Sequence, residues 1–132
     1  MEQILDIISQ INGLLPQFSD FIGQFNQTAL VGNITVEFDL QHNMTLYAPK
    51  SMSAHDISYF SQRIRIIDNL ILTRCGEIER LIEQGYIIEN ELKKTDSNYS
   101  SLILDKANEF KRLKNSHINE ENPCFTLAFP RS

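Results

Sequence analysis

From Ile57 to Leu92 the chain repeats apolar side chains at steps of three and four: Ile57, Phe60, Ile64, Ile67, Ile71, Ile78, Leu81, Ile88 and Leu92. An α-helix turns once per 3.6 residues, so this spacing gathers all nine side chains on one face, over about five heptads. Only Arg74 and Gly85 interrupt the stripe. A helix from Ala54 to Lys94 would run roughly 60 Å, or roughly 45 Å if Gly85 ends it early. A compact domain of 132 residues has a diameter of only about 35 Å. Each Ile or Leu left in water forfeits about 1.5 to 3 kcal/mol, so the overhanging seam needs a cover. These nine residues are therefore the candidate partner-binding set; the first and last helices could cover part of the seam as an elongated three-helix bundle, but the overhang and the near-heptad spacing point to a second copy of the chain or a docked partner helix as the further cover.

The start of this helix is written locally. In Ser53-Ala54-His55-Asp56 the Ser hydroxyl can accept from the Asp56 amide while the Asp carboxylate reaches back, a variant of the capping box, with Met52 and Ile57 at the staple positions. Ile66, Leu70, Leu72, Cys75 and Ile82 fall off the main stripe. The section from Ile64 to Leu72 is thus apolar on several sides and calls for more than one neighbour. Lys93 to Asn98 is a polar interruption, after which Tyr99, Leu102, Ile103, Ala107, Phe110 and Leu113 share a face. With Asp96 or Ser97 as its cap, that segment predicts the second arm of a helical hairpin within residues 53–116; one continuous helix is the alternative.

Ahead of it, Ile4, Ile8, Ile11, Leu15, Phe18, Ile22 and Phe25 predict an amphipathic helix over residues 1–26, kinked or broken around Gly13 to Pro16 because proline removes an intrahelical hydrogen bond. Residues 33–48 then change period to two: Ile34, Val36, Phe38 and Leu40, a reversal at Gln41 to Asn43, and Met44, Leu46 and Ala48. That is an antiparallel β-hairpin with one apolar face. In the extended tail, residues 119–132, Phe125, Leu127 and Phe129 alternate between Pro123 and Pro130, which reads as a third strand for this hairpin or a neighbour's. The expected fold is a single α+β domain, mainly α: an N-terminal amphipathic helix, a small antiparallel hairpin, and a long central helix with its helical hairpin.

Charge restricts the partners. No Lys or Arg precedes Lys50, whereas Glu2, Asp6, Asp20, Glu37 and Asp39 do, and the net charge is −5. Beyond that point acids and bases balance, so phosphate-binding basic patches are missing and nucleic acid is not an expected partner. The first 25 residues lack the cations of a leader peptide, and no apolar run approaches a membrane span, so membrane insertion is not expected either. Cys75 and Cys124 are too few for a disulfide scaffold and read as reduced thiols, pointing to a reducing cytoplasmic compartment or the inside of a particle.

No cofactor, metal or catalytic constellation stands out. His42, His55 and His117 have no ligand spacing, the five glycines are scattered, and Glu77, Glu79, Glu83, Glu89 and Glu91 alternate with Arg80, Lys93 and Lys94 as on a solvated helix face. Arg74, on the apolar stripe, is expected to bend outward or pair with Glu77, the other reading being a register-setting contact between chains. Arg63-Ile64-Arg65-Ile66-Ile67-Asp68 together with Arg74 resembles the Arg- and Asp-bearing first helix of the small all-helical chorismate mutases, over about twelve residues. The resemblance implies a helical enzyme with an arginine-lined pocket. The sequence departs from that family in having a hairpin before the helix and no lysine at the matching downstream point, so no site residue is carried over.

The sequence therefore predicts a non-catalytic structural or adaptor subunit, a homo-oligomer or part of a larger complex, such as a component of a virus or phage particle. The alternatives are a small helical-bundle enzyme or ligand-binding protein using Arg63, Arg65 or Arg74, and a regulatory or chaperone protein devoted to one partner.

Overall fold

The computed structural model describes residues 1–41 and 43–116. In chain order it contains α1 (Glu2–Gly32), β1 (Thr35–Phe38), β2 (Met44–Tyr47), α2 (Ala54–Thr95) and α3 (Ile103–Asn115). The fold is mainly α with one small antiparallel sheet, as the periodicities predict. The strand expected from Cys124 to Phe129, and His42 and His117, lie outside the described residues.

The N-terminal helix is longer and less interrupted than its sequence suggests. It continues past residue 26 to Gly32 and passes through Pro16 as one element. Pro16 is exposed, so the carbonyl it strands faces water, and the Gln17 side-chain amide donates to the neighbouring Gly13 carbonyl at 3.1 Å. A proline on the wet side of a helix with a solvated carbonyl can be absorbed without a break. The buried face runs Ile4, Ile7, Ile11, Leu15, Phe18, Ile22, Phe25 and Ala29, with Ile7 fully part of it and Ile8 only partly buried beside it. It ends in a Schellman motif: Asn33 adopts φ 54°, its N–H donates to the Leu30 carbonyl, and Ile34 N–H donates to the Ala29 carbonyl at 2.9 Å.

The hairpin pairs Thr35 with Tyr47 and Phe38 with Met44. Its first strand is shorter than expected, and Leu40 is fully exposed rather than on the apolar face. Asp39 explains this. Its carboxylate accepts from the amides of Gln41 and Asn43 at 2.8 Å each and from Asn43 Nδ2, so the side chain organises the turn before the strand can reach Leu40.

Helix α2 is unbroken over 42 residues, about 63 Å, and Gly85 does not end it. Ser53 caps it, its Oγ accepting from Asp56 N–H at 3.1 Å. The chain reversal lays α1 antiparallel along α2, with Gly32 against Phe60 at one end and Gln17 hydrogen-bonded to Arg74 farther along. At 31 residues, about 46 Å, α1 is long enough to line most of its neighbour. Helix α3 folds back along α2 and completes a three-helix bundle, Phe110 meeting Phe18 with ring centroids 5.2 Å apart.

The α2–α3 connection is the predicted helical hairpin, but α3 starts at Ile103, later than Asp96 or Ser97 would place it. Asp96 is used up in the turn, accepting from Asn98 N–H at 3.0 Å. The α3 start is capped from across the bundle instead, by Glu89.

Candidate functional site

The nine residues of the α2 stripe divide by depth. Ile64, Ile67, Ile71 and Ile78 are buried in the bundle core, Phe60, Leu81, Ile88 and Leu92 are partly buried, and Ile57 is 40% exposed. The centre of the seam is thus covered within the chain, by α1 and α3. The overhang inferred from a spherical globule is not what the structure shows: an elongated bundle with a matching first helix shields most of the rod. No partner is needed for those four isoleucines.

The off-stripe residues go two ways. Cys75 and Ile82 pack against the core, whereas Ile66 (56% exposed), Leu70 (37%) and Leu72 (42%) stay on the surface, as does Tyr59 (58%). Tyr59, Arg63, Ile66, Leu70, Thr73 and Glu77 recur at steps of four and three and therefore form a second seam on α2. At its Arg63 end lies an open groove of about 530 Å³ between α1 and α2, lined by Ser19, Asp20, Gly23, Gln24, Gln27, Thr28 and Arg63. Gln24 donates to Asp20 at 2.8 Å along its α1 wall.

Arg74 is 26% exposed and pairs with Glu77 at 3.0 Å, as expected of a charge on an apolar stripe. It also donates from Nε to Gln17 Oε1 at 2.9 Å and stands 5.9 Å from the Phe21 ring centroid. The register it sets is between α1 and α2 of one chain. Arg63 and Arg65 are both exposed, and two residues of helix separate them by about 200°, so they face opposite ways. Arg74 lies about 16 Å along the axis from Arg63. The three arginines do not converge on a pocket, and Asp68 is buried, on another side of the helix from Arg63.

Glu89 is the residue that sequence reasoning misplaced. Counted there among the solvated acids, it is 1% exposed. Its Oε1 accepts from Ser101 Oγ at 2.6 Å, and its Oε2 accepts from Tyr99 Oη at 2.6 Å, Leu102 N–H at 2.8 Å and Ile103 N–H at 3.3 Å. A carboxylate at a helix N-terminus satisfies amides that have no intrahelical partner and suits the positive end of the helix dipole. Burial alone would raise the Glu89 pKa; the bonds from Ser101, Tyr99, Leu102 and Ile103 outweigh it and hold the carboxyl below its ordinary value. The Tyr99 phenol is pushed up to about 12 by its own burial and by the carboxylate beside it. The signal was there to read: residue 89 follows Gly85 by four and Ile78 by eleven, which puts it on the buried face.

Cys75 is half-buried and donates from Sγ to Glu79 at 3.1 Å. Burial and that acid push its thiol up to about 11, the opposite of what activates a nucleophile. Among the described residues, no three His, Cys, Asp or Glu side chains gather as metal ligands, and no helix is long and apolar enough to cross a membrane.

Fold and surface define a class, an elongated, mainly helical α+β protein with a tight internal helix clasp and a mixed apolar and charged outer seam. No family model matches the chain, and no curated protein and no solved structure is significantly similar to it.

Proposed function

We propose that the chain is a non-catalytic structural or adaptor subunit that works by associating with itself or other proteins along α2, as part of a larger assembly; a virus or phage particle is one setting that suits it. The observation that carries this reading is the outer face of α2, a rigid helix of about 63 Å on which Tyr59, Ile66 and Leu70 stay exposed after α1 and α3 have packed. Apolar side chains in register on a stiff rod lose free energy in water and gain it against a complementary surface. Of the three arginines that a ligand-binding reading could use, Arg63 alone lines a groove, and that groove is open rather than deep. Light scattering on the full chain at micromolar concentration tests the reading. A defined multimer supports it, and a clean monomer with a cooperative melt that also retains no protein on affinity capture contradicts it.

A further inference from the structure

We infer that the outer seam of α2 is a homodimer interface in which two copies pair their α2 helices antiparallel, with the two-fold axis at the level of residue 68. The inference rests on the association reading above and names its partner.

The argument is the self-complementarity of the seam. Antiparallel helices that mesh as a coiled coil stack residues whose numbers add to a constant, alternating the two heptad positions across the axis. With Tyr59, Arg63, Ile66, Leu70, Thr73 and Glu77 as the seam, that sum is met by three pairings at once. Ile66 meets the partner's Leu70 in the two central layers, Arg63 meets the partner's Thr73, and Tyr59 meets the partner's Glu77. The most apolar residues fall at the centre and the charged ones at the rim, the usual anatomy of an interface. The Arg63 guanidinium lies one helical turn from the partner's Glu77 carboxylate, and each is repeated by symmetry, so opposite charges approach at both ends.

Two of these groups have no partner within the chain: Arg63 makes no hydrogen bond or ion pair among the described residues, and neither does the Tyr59 hydroxyl. Glu77 is 34% exposed and already pairs with Arg74 at 3.0 Å through one oxygen, so the partner's Arg63 would share its carboxylate with Arg74. A parallel pair would instead stack Arg63 on Arg63 and Glu77 on Glu77, which like-charge repulsion disfavours.

Sedimentation equilibrium of the full chain at about 10 to 100 μM, a range suited to a modest interface, tests this with Ile66→Asp, Leu70→Asp, Arg63→Glu, Glu77→Arg and the Arg63→Glu/Glu77→Arg double variant. Circular dichroism melts on each confirm that it folds, and the seam residues at 66 and 70 are exposed enough for the fold to survive. The expected result is a wild-type dimer, at least tenfold weaker in the two aspartate variants and in each single charge reversal, and recovered in the double variant. A wild-type monomer overturns the homodimer and leaves of the association reading only binding to another protein. A multimer indifferent to Ile66→Asp and Leu70→Asp, or one in which the double variant is no tighter than the singles, overturns this interface and leaves association through another surface standing.

Discussion

Gly85 on α2 and Ile103 on α3 sit so close that a Cβ built on the glycine lies 2.5 Å from Ile103 Cδ1 and 2.7 Å from its Cγ1. Ile103 is fully buried and cannot swing clear. The glycine that looked like a weak point in the long helix is a place where a second helix packs closely against it.

Replacing Gly85 by Ala therefore sets two effects against each other. Helix propensity favours alanine by about 1 kcal/mol, while overpacking a tight contact costs about 1–3 kcal/mol. We expect a net loss of up to about 2 kcal/mol in urea unfolding. Gly23→Ala is the control, because nothing lies within 4 Å of its Cβ position and the site is exposed; it should gain about 0.5–1 kcal/mol. Equal shifts in the two variants would contradict the close approach.

Glu89 holds the same hairpin by polar means. Glu89→Gln keeps the shape but places an amide donor among four donors and removes the charge, so the clasp loses bonds and leaves buried groups unpaired. A loss of about 2–4 kcal/mol is expected, with the α3 amides of Leu102 and Ile103 exchanging with solvent deuterium ahead of those in α1. Uniform exchange throughout the chain would contradict a local clasp.

The clasp also gives stability a pH signature. Because the folded Glu89 pKa lies below its ordinary value near 4.5, its contribution is complete above that value and is lost as pH falls through the lower folded one. Tyr99 acts in the opposite sense: its folded pKa is raised from 10 to about 12, so its contribution is complete below pH 10 and is lost as pH rises toward about 12. Melting temperature against pH should fall at both ends. Glu89→Gln should flatten the acid limb and Tyr99→Phe the alkaline limb; unchanged slopes would contradict the assignment.

Pro16 is an avoidable defect. Pro16→Ala restores one backbone hydrogen bond on the exposed side of α1 without disturbing the core, and a gain of about 1–3 kcal/mol is expected in denaturant unfolding. A loss would mean that the proline shapes the helix in a way the core depends on.

Much of this architecture is legible in the sequence where one residue type repeats at one period. The α2 stripe, the Ser53 cap and the change to period two at Ile34 are signals of that kind, and each marks its element. What is not legible depends on the third dimension. Pro16 is tolerated because of the side it faces, Leu40 leaves its strand because the Asp39 carboxylate takes the turn amides, and Glu89 is buried because four donors from a later segment converge on it. The covering of Ile64, Ile67, Ile71 and Ile78 follows from α1 lying antiparallel along α2 with α3 beside it, a packing that the periodicity of each helix alone does not fix. The surface left for a partner is consequently the flank carrying Ile66 and Leu70, where the sequence already asked for more than one neighbour.

The most direct test of association through that flank is the distance between copies at chosen points on α2. With Cys75 and Cys124 replaced by Ser, spin labels at Asn69 and, separately, at Lys94 can be measured by pulsed dipolar spectroscopy on the full chain. Antiparallel pairing about residue 68 predicts a short separation at Asn69, where helix axes pack about 8–10 Å apart, and one near 75–80 Å at Lys94 from the roughly 1.5 Å rise per residue. Short separations at both positions, or no inter-copy signal at Asn69, would contradict the account.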